Sequence, residues 1–351
     1  MTLRAPVPPR APPARRHRAW SWRSPAARAL LWQVLALAGL LAALLWLVHN
    51  TQLNMAARGI QSGWDFLGQT AGFDIGEQLI AFDAGDSLAR AFLVGLLNTL
   101  RVALLGILLC TLLGTLVGLG QLARNGLLRG LCRAYVELFR NVPLLVQLLV
   151  WYLLLVEYLP DAGAAWSWRD ALFLSKAGLA FPALVADGTG GWSDWSAWHW
   201  ELPALQAFGI EGGAALSPEF IAVTLGLGCY TAAFVAEVVR AGIRSVPSGQ
   251  IEAAQSIGLS RRQTLRLVTA PLALRVILPP LTNQYLNLTK NSSLAVAIGY
   301  PDLVSIANTT LNQTGRAVEC IAVIMLVYLA LSLLTAALMA VFNRRVALKE
   351  R

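Results

Sequence analysis

The chain has 351 residues, 56% of them hydrophobic and only 13% charged, with a formal net charge of +9. Soluble domains carry about 25% charged residues, so the composition excludes an ordinary soluble globular domain and favours an integral membrane protein. The excess of Lys and Arg would suit a nucleic acid, but its distribution along the chain argues for membrane topology instead.

Residues 1–28 hold seven arginines, several prolines and no acid, and read as a basic disordered cytoplasmic arm. Residues 30–48, "LLWQVLALAGLLAALLWLV", contain only Gln33 as a polar residue. About twenty apolar residues cross a bilayer, so 29–49 reads as an N-terminal membrane anchor. A signal peptide is the rival reading. It is disfavoured by the long basic region, the length of the apolar run and the lack of a small-residue site directly after it. Residues 50–90 carry five acids against two bases and form a periplasmic segment. Further spans are expected at about 91–119, 141–158, 219–242, 272–298 and 317–342, giving about six, and 346–351 is a cytoplasmic tail.

Segment 159–218 holds six acids and six of the twelve tryptophans. Tryptophan favours the headgroup level, so this insert suits the outer interface. Within it, "ALFLSKAGLAFPALV" (171–185) is compatible with a re-entrant or interfacial helix, or with half of an extra pair of spans, which would make eight. With six spans, one side of the membrane receives 21 Lys and Arg and the other 5. Positive loops stay in the cytoplasm, which places both termini and the loop 245–271 there.

In the first of the later spans, Gly106, Cys110, Gly114 and Gly118 recur every four residues, a face on which helix backbones approach closely. Arg101 reads as a snorkelling side chain and Glu319 as interfacial. Glu237 and Arg240 read as a structural i, i+3 ion pair. In the polar span, Asn283, Asn287, Lys290 and Asn291 fall on one helix face, and Pro279 and Pro280 are expected to break the helix. Ionisable residues at membrane depth usually face protein or water, so this face is a candidate translocation path. A structural polar cluster is the alternative.

The four cysteines show no metal or disulfide spacing. His17, His49 and His199 have no nucleophile or metal partner in sequence, and no G-x-x-x-x-G-K-[ST] loop occurs. No catalytic residue, metal or cofactor is expected, and any energy from ATP must enter through another subunit.

The stretch "GQIEAAQSIGLSRRQT" (249–264) reads as two short helices. Gly258 ends the first through a left-handed cap, Ser260 and Gln263 form a capping box for the second, and Pro271 limits the second. Such an elbow could read DNA or dock a cytoplasmic protein. Both arms enter the bilayer within a few residues, which leaves little room for a major groove and favours docking. Ala253 and Ala254 are small enough to let a partner approach, and Glu252 could pair with it.

"EAAQSIGLSRRQTLRLVTAP" (252–271) resembles the cytoplasmic signature loop of ABC-transporter permeases. Glu252, Ala253, Ala254, Gly258, Val268 and Pro271 match, and Ala270 stands where the family usually has Leu. "ELFRNVPLLVQLLVWY" (137–152), "AEVVRAGIRSVPSGQIEAA" (236–254), "LTKNSSLAVAIGYPDL" (288–303) and "NTLRVAL" (98–104) resemble the polar amino-acid importer branch, close to general L-amino-acid permeases. The resemblance covers about 91–345. It implies an all-α integral membrane fold, the transmembrane domain of a type I ABC importer, with a five-span core behind the N-terminal anchor. It further implies a bacterial inner-membrane subunit that carries polar L-amino acids and couples to ATPase subunits (a homodimer) through the E-A-A loop. A second permease subunit, a paralogue, and a periplasmic amino-acid-binding protein complete the assembly. An ion-coupled secondary amino-acid transporter is the alternative, for which Glu237 is the only deep carboxylate.

Overall fold

The computed structural model describes residues 25–57, 59, 62–186, 198–206 and 209–346. The basic arm read over 1–28 lies outside these residues except for its last four, and the tail 346–351 except for Val346. The chain divides into two units, residues 1–62 and 63–351.

In the first unit, α1 (Pro25–Ala57) is 33 residues long, and its leucines and tryptophans are exposed throughout. It is long and apolar enough to cross a membrane.

The second unit is built on α2 (Leu88–Gly120), α3 (Gly126–Asn141), α4 (Leu144–Tyr158), α5 (Pro218–Arg244), α6 (Ser248–Ser256), α7 (Arg261–Thr264), α8 (Ala270–Asn291), α9 (Leu303–Thr314) and α10 (Ala317–Val346). Its mostly helical body follows the expected class. Helices α2 and α5 pack most closely. A Cβ on Gly114 would meet Val235 Cβ at 2.6 Å and the Ala232 carbonyl at 2.8 Å, and one on Gly118 would meet the Ala236 carbonyl at 2.7 Å. Gly106 faces Leu288 of α8 instead. One small-residue face therefore serves two neighbours.

The span expected at 141–158 is one 15-residue helix, α4, but it follows a sharp bend from α3, which precedes it. Helices α3 and α4 meet at 107° around Pro143, which cannot donate a backbone hydrogen bond. The buried Gln147 amide donates to the Phe139 and Val142 carbonyls, each at 2.8 Å. It thereby satisfies acceptors that lipid could not.

Segment 171–185 is neither a helix nor part of a pair of spans, so the eight-span possibility falls. It forms β2 (Leu172–Ser175), β3 (Gly178–Phe181) and most of β4 (Ala183–Ala186). Burial alternates with period two along β2 and β3, and the chain reverses at Lys176 and Ala177, followed by Gly178 at φ +112°. With β1 (Trp166–Trp168), β5 (Trp198–Glu201), β6 (Ala204–Gln206), β7 (Gly209–Glu211) and β8 (Ala214–Leu216), these strands make one four-stranded and two two-stranded antiparallel sheets.

Two proline expectations also fail. Pro279 and Pro280 lie inside a continuous α8, where they remove two backbone bonds without ending the helix. Nor does Pro271 stop the helix that starts at Arg261. Residues Leu265–Thr269 form a π-turn in which Ala270 N–H reaches the Leu265 carbonyl. The widened turn lets the proline ring follow without a break. The region 299–316, expected as a loop, contains α9, which packs on α2 through contacts such as Ile306 against Gly95.

Candidate coupling elbow and translocation path

Two caps build the elbow. At the end of α6, Leu259 N–H donates to the Ala254 carbonyl (3.1 Å) and Gly258 N–H to that of Gln255 (2.9 Å). Gly258 lies at φ +86°, so this is the Schellman arrangement that glycine favours. Two residues on, Ser260 N–H donates to Gln263 Oε1 (2.9 Å) and Gln263 N–H to Ser260 Oγ (3.4 Å), a complete capping box. A Cβ at Gly258 would have open space around it, so the backbone angle, not crowding, requires glycine there.

Glu252 and Ala253 are exposed, and Ile257 is 78% exposed. These three form the outward surface. Ala254 is buried and therefore packs inward, contrary to the expectation that both alanines face a partner. Val268 is half-buried and Pro271 exposed. Both belong to the helix beyond the elbow, not to its tip. Beside the elbow lies a groove of about 440 Å³ lined by Arg124, Ile251, Gln255, Arg261, Thr264, Leu265 and Thr269.

The candidate path residues lie on α8. Asn283, Asn287 and Lys290 are exposed on the unit's surface and Asn291 is half-buried. The opposite face of the same helix is packed: Leu281, Tyr285 and Leu288 are buried. Depth follows from α2, since Tyr285 OH lies 2.7 Å from Thr111 Oγ1 and Leu288 abuts Gly106, near the middle of α2. Lys290 is thus at mid-depth, and among the described residues it forms no ion pair. An ammonium is expensive at that depth unless it faces water or another polar group.

Arg240 engages the Glu237 carboxylate at 2.6, 3.1 and 3.3 Å. The geometry is that of an i, i+3 ion pair on α5.

At the end opposite the elbow lies a cluster that the sequence reading missed. Arg101 does not snorkel: its Nη1 lies 2.6 Å from Glu77 Oε1, and its guanidinium stacks on Phe220 at 4.0 Å. Ser217 Oγ, the N-cap of α5, donates to the other Glu77 oxygen. Burial pushes the Glu77 carboxyl up, against the opposing pull of Ser217 and Arg101. The Asn98 amide ties this segment to the next turn, donating to the Glu77 (2.8 Å) and Pro301 (2.9 Å) carbonyls. Glu319, in the first turn of α10, is buried and accepts Gly63 N–H at 2.8 Å. No local pattern announces these pairs, because their partners are 21 to 256 residues apart. The one sequence signal is an arginine inside an apolar run.

Among the described residues, no group of three or more His, Cys, Asp or Glu could hold a metal. Residues 110–348 match the family of binding-protein-dependent transport system inner membrane components. The chain belongs to this family. The YhdX protein of Escherichia coli strain K12, assigned as an amino-acid ABC transporter permease, is 45% identical over 94% of this chain and 97% of its own. The general L-amino acid transport system permease protein AapQ of Rhizobium johnstonii is 41% identical over 95% and 96%. A crystal structure of an amino acid ABC transporter with histidines superposes with a TM-score of 0.51 at 27% identity, over 73% of this chain and 94% of that one. The inward-facing MetNI methionine ABC transporter shares the fold, with a TM-score of 0.50 at 20% identity. The chain is thus a multi-pass membrane permease, a transport component rather than an enzyme. Membership implies ATPase partners and a binding protein.

Proposed function

We propose that this chain is the permease subunit of a bacterial ATP-driven importer of polar L-amino acids, and that 245–271 is its coupling loop to a separate ATPase homodimer. The observation that carries the reading is the elbow. It is doubly capped, tethered to long apolar helices on both sides and exposes Glu252, Ala253 and Ile257. The names of relatives aligned over nearly their whole length support the substrate class. A second permease subunit, a paralogue, faces α8 and closes the path along Asn283, Asn287, Lys290 and Asn291. A periplasmic amino-acid-binding protein delivers substrate at the opposite end. The 21-to-5 split of Lys and Arg supports an orientation in the inner membrane with both termini and the elbow cytoplasmic. The ion-coupled alternative is not favoured, because Glu237 is already held by Arg240.

The test is uptake of labelled amino acids into proteoliposomes holding the full complex, with ATP inside and binding protein outside. Loss of a charged hydrogen-bonding contact costs about 1.5–3 kcal/mol, so Lys290→Leu is expected to lower uptake by about ten- to a hundredfold at unchanged protein level. Wild-type uptake by this variant would remove Lys290 from the path. Failure of the wild-type complex to carry any polar amino acid would overturn the substrate class.

A further inference from the structure

The four-stranded sheet has two unlike faces. Its register pairs Trp166 with Leu174, Trp168 with Leu172, Leu174 with Leu179 and Leu179 with Leu216. Side chains alternate along a strand, so these six residues share one face, and none is charged. Phe173, Ser175 and Ala180 point the other way and are buried within the protein. On the first face, Trp166 and Trp168 are 61% and 64% exposed, and Leu172, Leu174 and Leu179 are half-buried. Among the described residues nothing covers the tryptophans.

Where this face sits follows from its tethers. Leu216 immediately precedes Ser217, the N-cap of α5. On the other side, α4 carries exposed Leu153, Leu154 and Tyr158 up to its last turn, and β1 begins at Trp166. The sheet therefore lies near the depth where two membrane helices end. The hairpin tip adds charge. Arg169 and Asp170 take the left-handed conformation in the three-residue loop between β1 and β2, with the Arg169 guanidinium 5.5 Å from the Trp168 ring centroid. An apolar face edged by tryptophan and tipped by arginine matches the chemistry of a phospholipid headgroup boundary, with apolar contact below and phosphate above.

The geometry points to this sheet as a membrane-seated paddle. Its Trp166–Trp168 face lies in the headgroup region of the leaflet opposite the elbow, and its other face packs on the protein. A protein partner would need a matching apolar surface at the bilayer boundary, and the tethering of the sheet between the ends of α4 and α5, with exposed tryptophans beside an arginine, favours lipid.

Tryptophan fluorescence tests this in the full transporter reconstituted in phospholipid vesicles. The wild-type emission minus that of the Trp166→Phe, Trp168→Phe double variant isolates these two rings. Both substitutions keep the face apolar. The difference emission is expected to be blue-shifted, to lose most of its intensity in lipids brominated high on the acyl chain, and to resist aqueous iodide. Quenching by iodide and not by brominated lipid would overturn the proposal. So would shielding from iodide that develops only on adding the loaded binding protein, which would make the face a protein interface.

Discussion

The two ends of the second unit are held by different physics. At the elbow, every deciding contact is local: Leu259 to Ala254, Gly258 to Gln255, and Ser260 with Gln263. At the opposite end, one partly buried cluster links Glu77, Arg101, Ser217 and, through Asn98, Pro301. A locally capped elbow can move as a rigid piece without breaking distant bonds. An interlocked, partly charged cluster resists motion, because a rearrangement separates a half-buried charge from its partner. The proposed coupling loop and the interlocked cluster thus fall on opposite ends of the second unit.

The sharpest break of this contrast is Arg101→Ala. It leaves the half-buried Glu77 carboxylate with only the Ser217 hydroxyl, and removes the stack on Phe220. Breaking a half-buried pair from one side costs about 2–3 kcal/mol, between the limits for exposed and buried pairs. Membrane-inserted yield and the unfolding temperature in detergent should both fall steeply. Glu77→Gln with Arg101→Leu should recover much of the loss, since no lone charge then remains. A single Arg101→Ala variant as stable as wild type would mean that the cluster does not anchor that end.

The contrast also explains what could be read in advance. The capping box and the Gly258 turn were legible because their residues lie within a few positions of one another. Glu237 and Arg240 were legible because i, i+3 neighbours share a helix face. The class of the fold was legible from the long apolar runs. Arg101 was misread because its partner lies 24 residues away in an irregular segment, and nothing periodic connects the two. The inward turn of Ala254 escaped notice because the E-A-A triplet alone does not say which side of α6 faces the body. The hairpin at 171–185 was read as helical because its apolar content is high. The glycine at Gly178, next to the reversal between β2 and β3, was the better guide. The π-turn before Pro271 leaves no trace in composition at all.

Next in size is Gly258→Val. The residue needs φ near +86°, and a β-branched side chain there costs roughly 1–2 kcal/mol. The loss falls on the elbow alone, so the protein should remain in the membrane. Co-purification with the ATPase, and ATP hydrolysis stimulated by the loaded binding protein, should both drop. Normal values for both would remove the elbow as the coupling element. Loss of the protein itself would show that the two ends are not mechanically separate.

Asp302 belongs to the interlocked end and offers a pH test. Its Oδ1 caps α9 by accepting Ser305 N–H at 2.8 Å, and burial pushes its carboxyl up to about 6. In the unfolded chain the group ionises at about 3.9. Between those values the folded state keeps a proton that the unfolded state has lost. Stability from this group is therefore greatest at the acid end of the window, declines as pH rises, and is fully lost above about 6. Asp302→Asn keeps an acceptor for the cap and removes the buried charge. It should raise stability at pH 7–8 by on the order of 1 kcal/mol, and flatten the dependence between about pH 4 and 6. A variant less stable than wild type at pH 8 would mean that the ionised cap is worth more than its burial costs.

The smallest effect is expected from Gln263→Ala, and it separates two ways in which the elbow could work. Gln263 Oε1 accepts from Ser260 N–H and Ser260 Oγ at 2.9 and 2.8 Å, while the reciprocal bond from Gln263 N–H to Ser260 Oγ does not need its side chain. Losing half of a capping box costs about 0.5–1 kcal/mol. Opening of α7 should then become about two- to fivefold more frequent, read as faster amide exchange at Thr264 and its neighbours. ATPase binding and transport should change little, because the Gly258 turn still sets the direction of the chain. If Gln263→Ala uncouples the ATPase as fully as Gly258→Val, the glutamine side chain is itself a contact with the partner. The elbow would then act through recognition at α7 and not as a rigid piece oriented by Gly258.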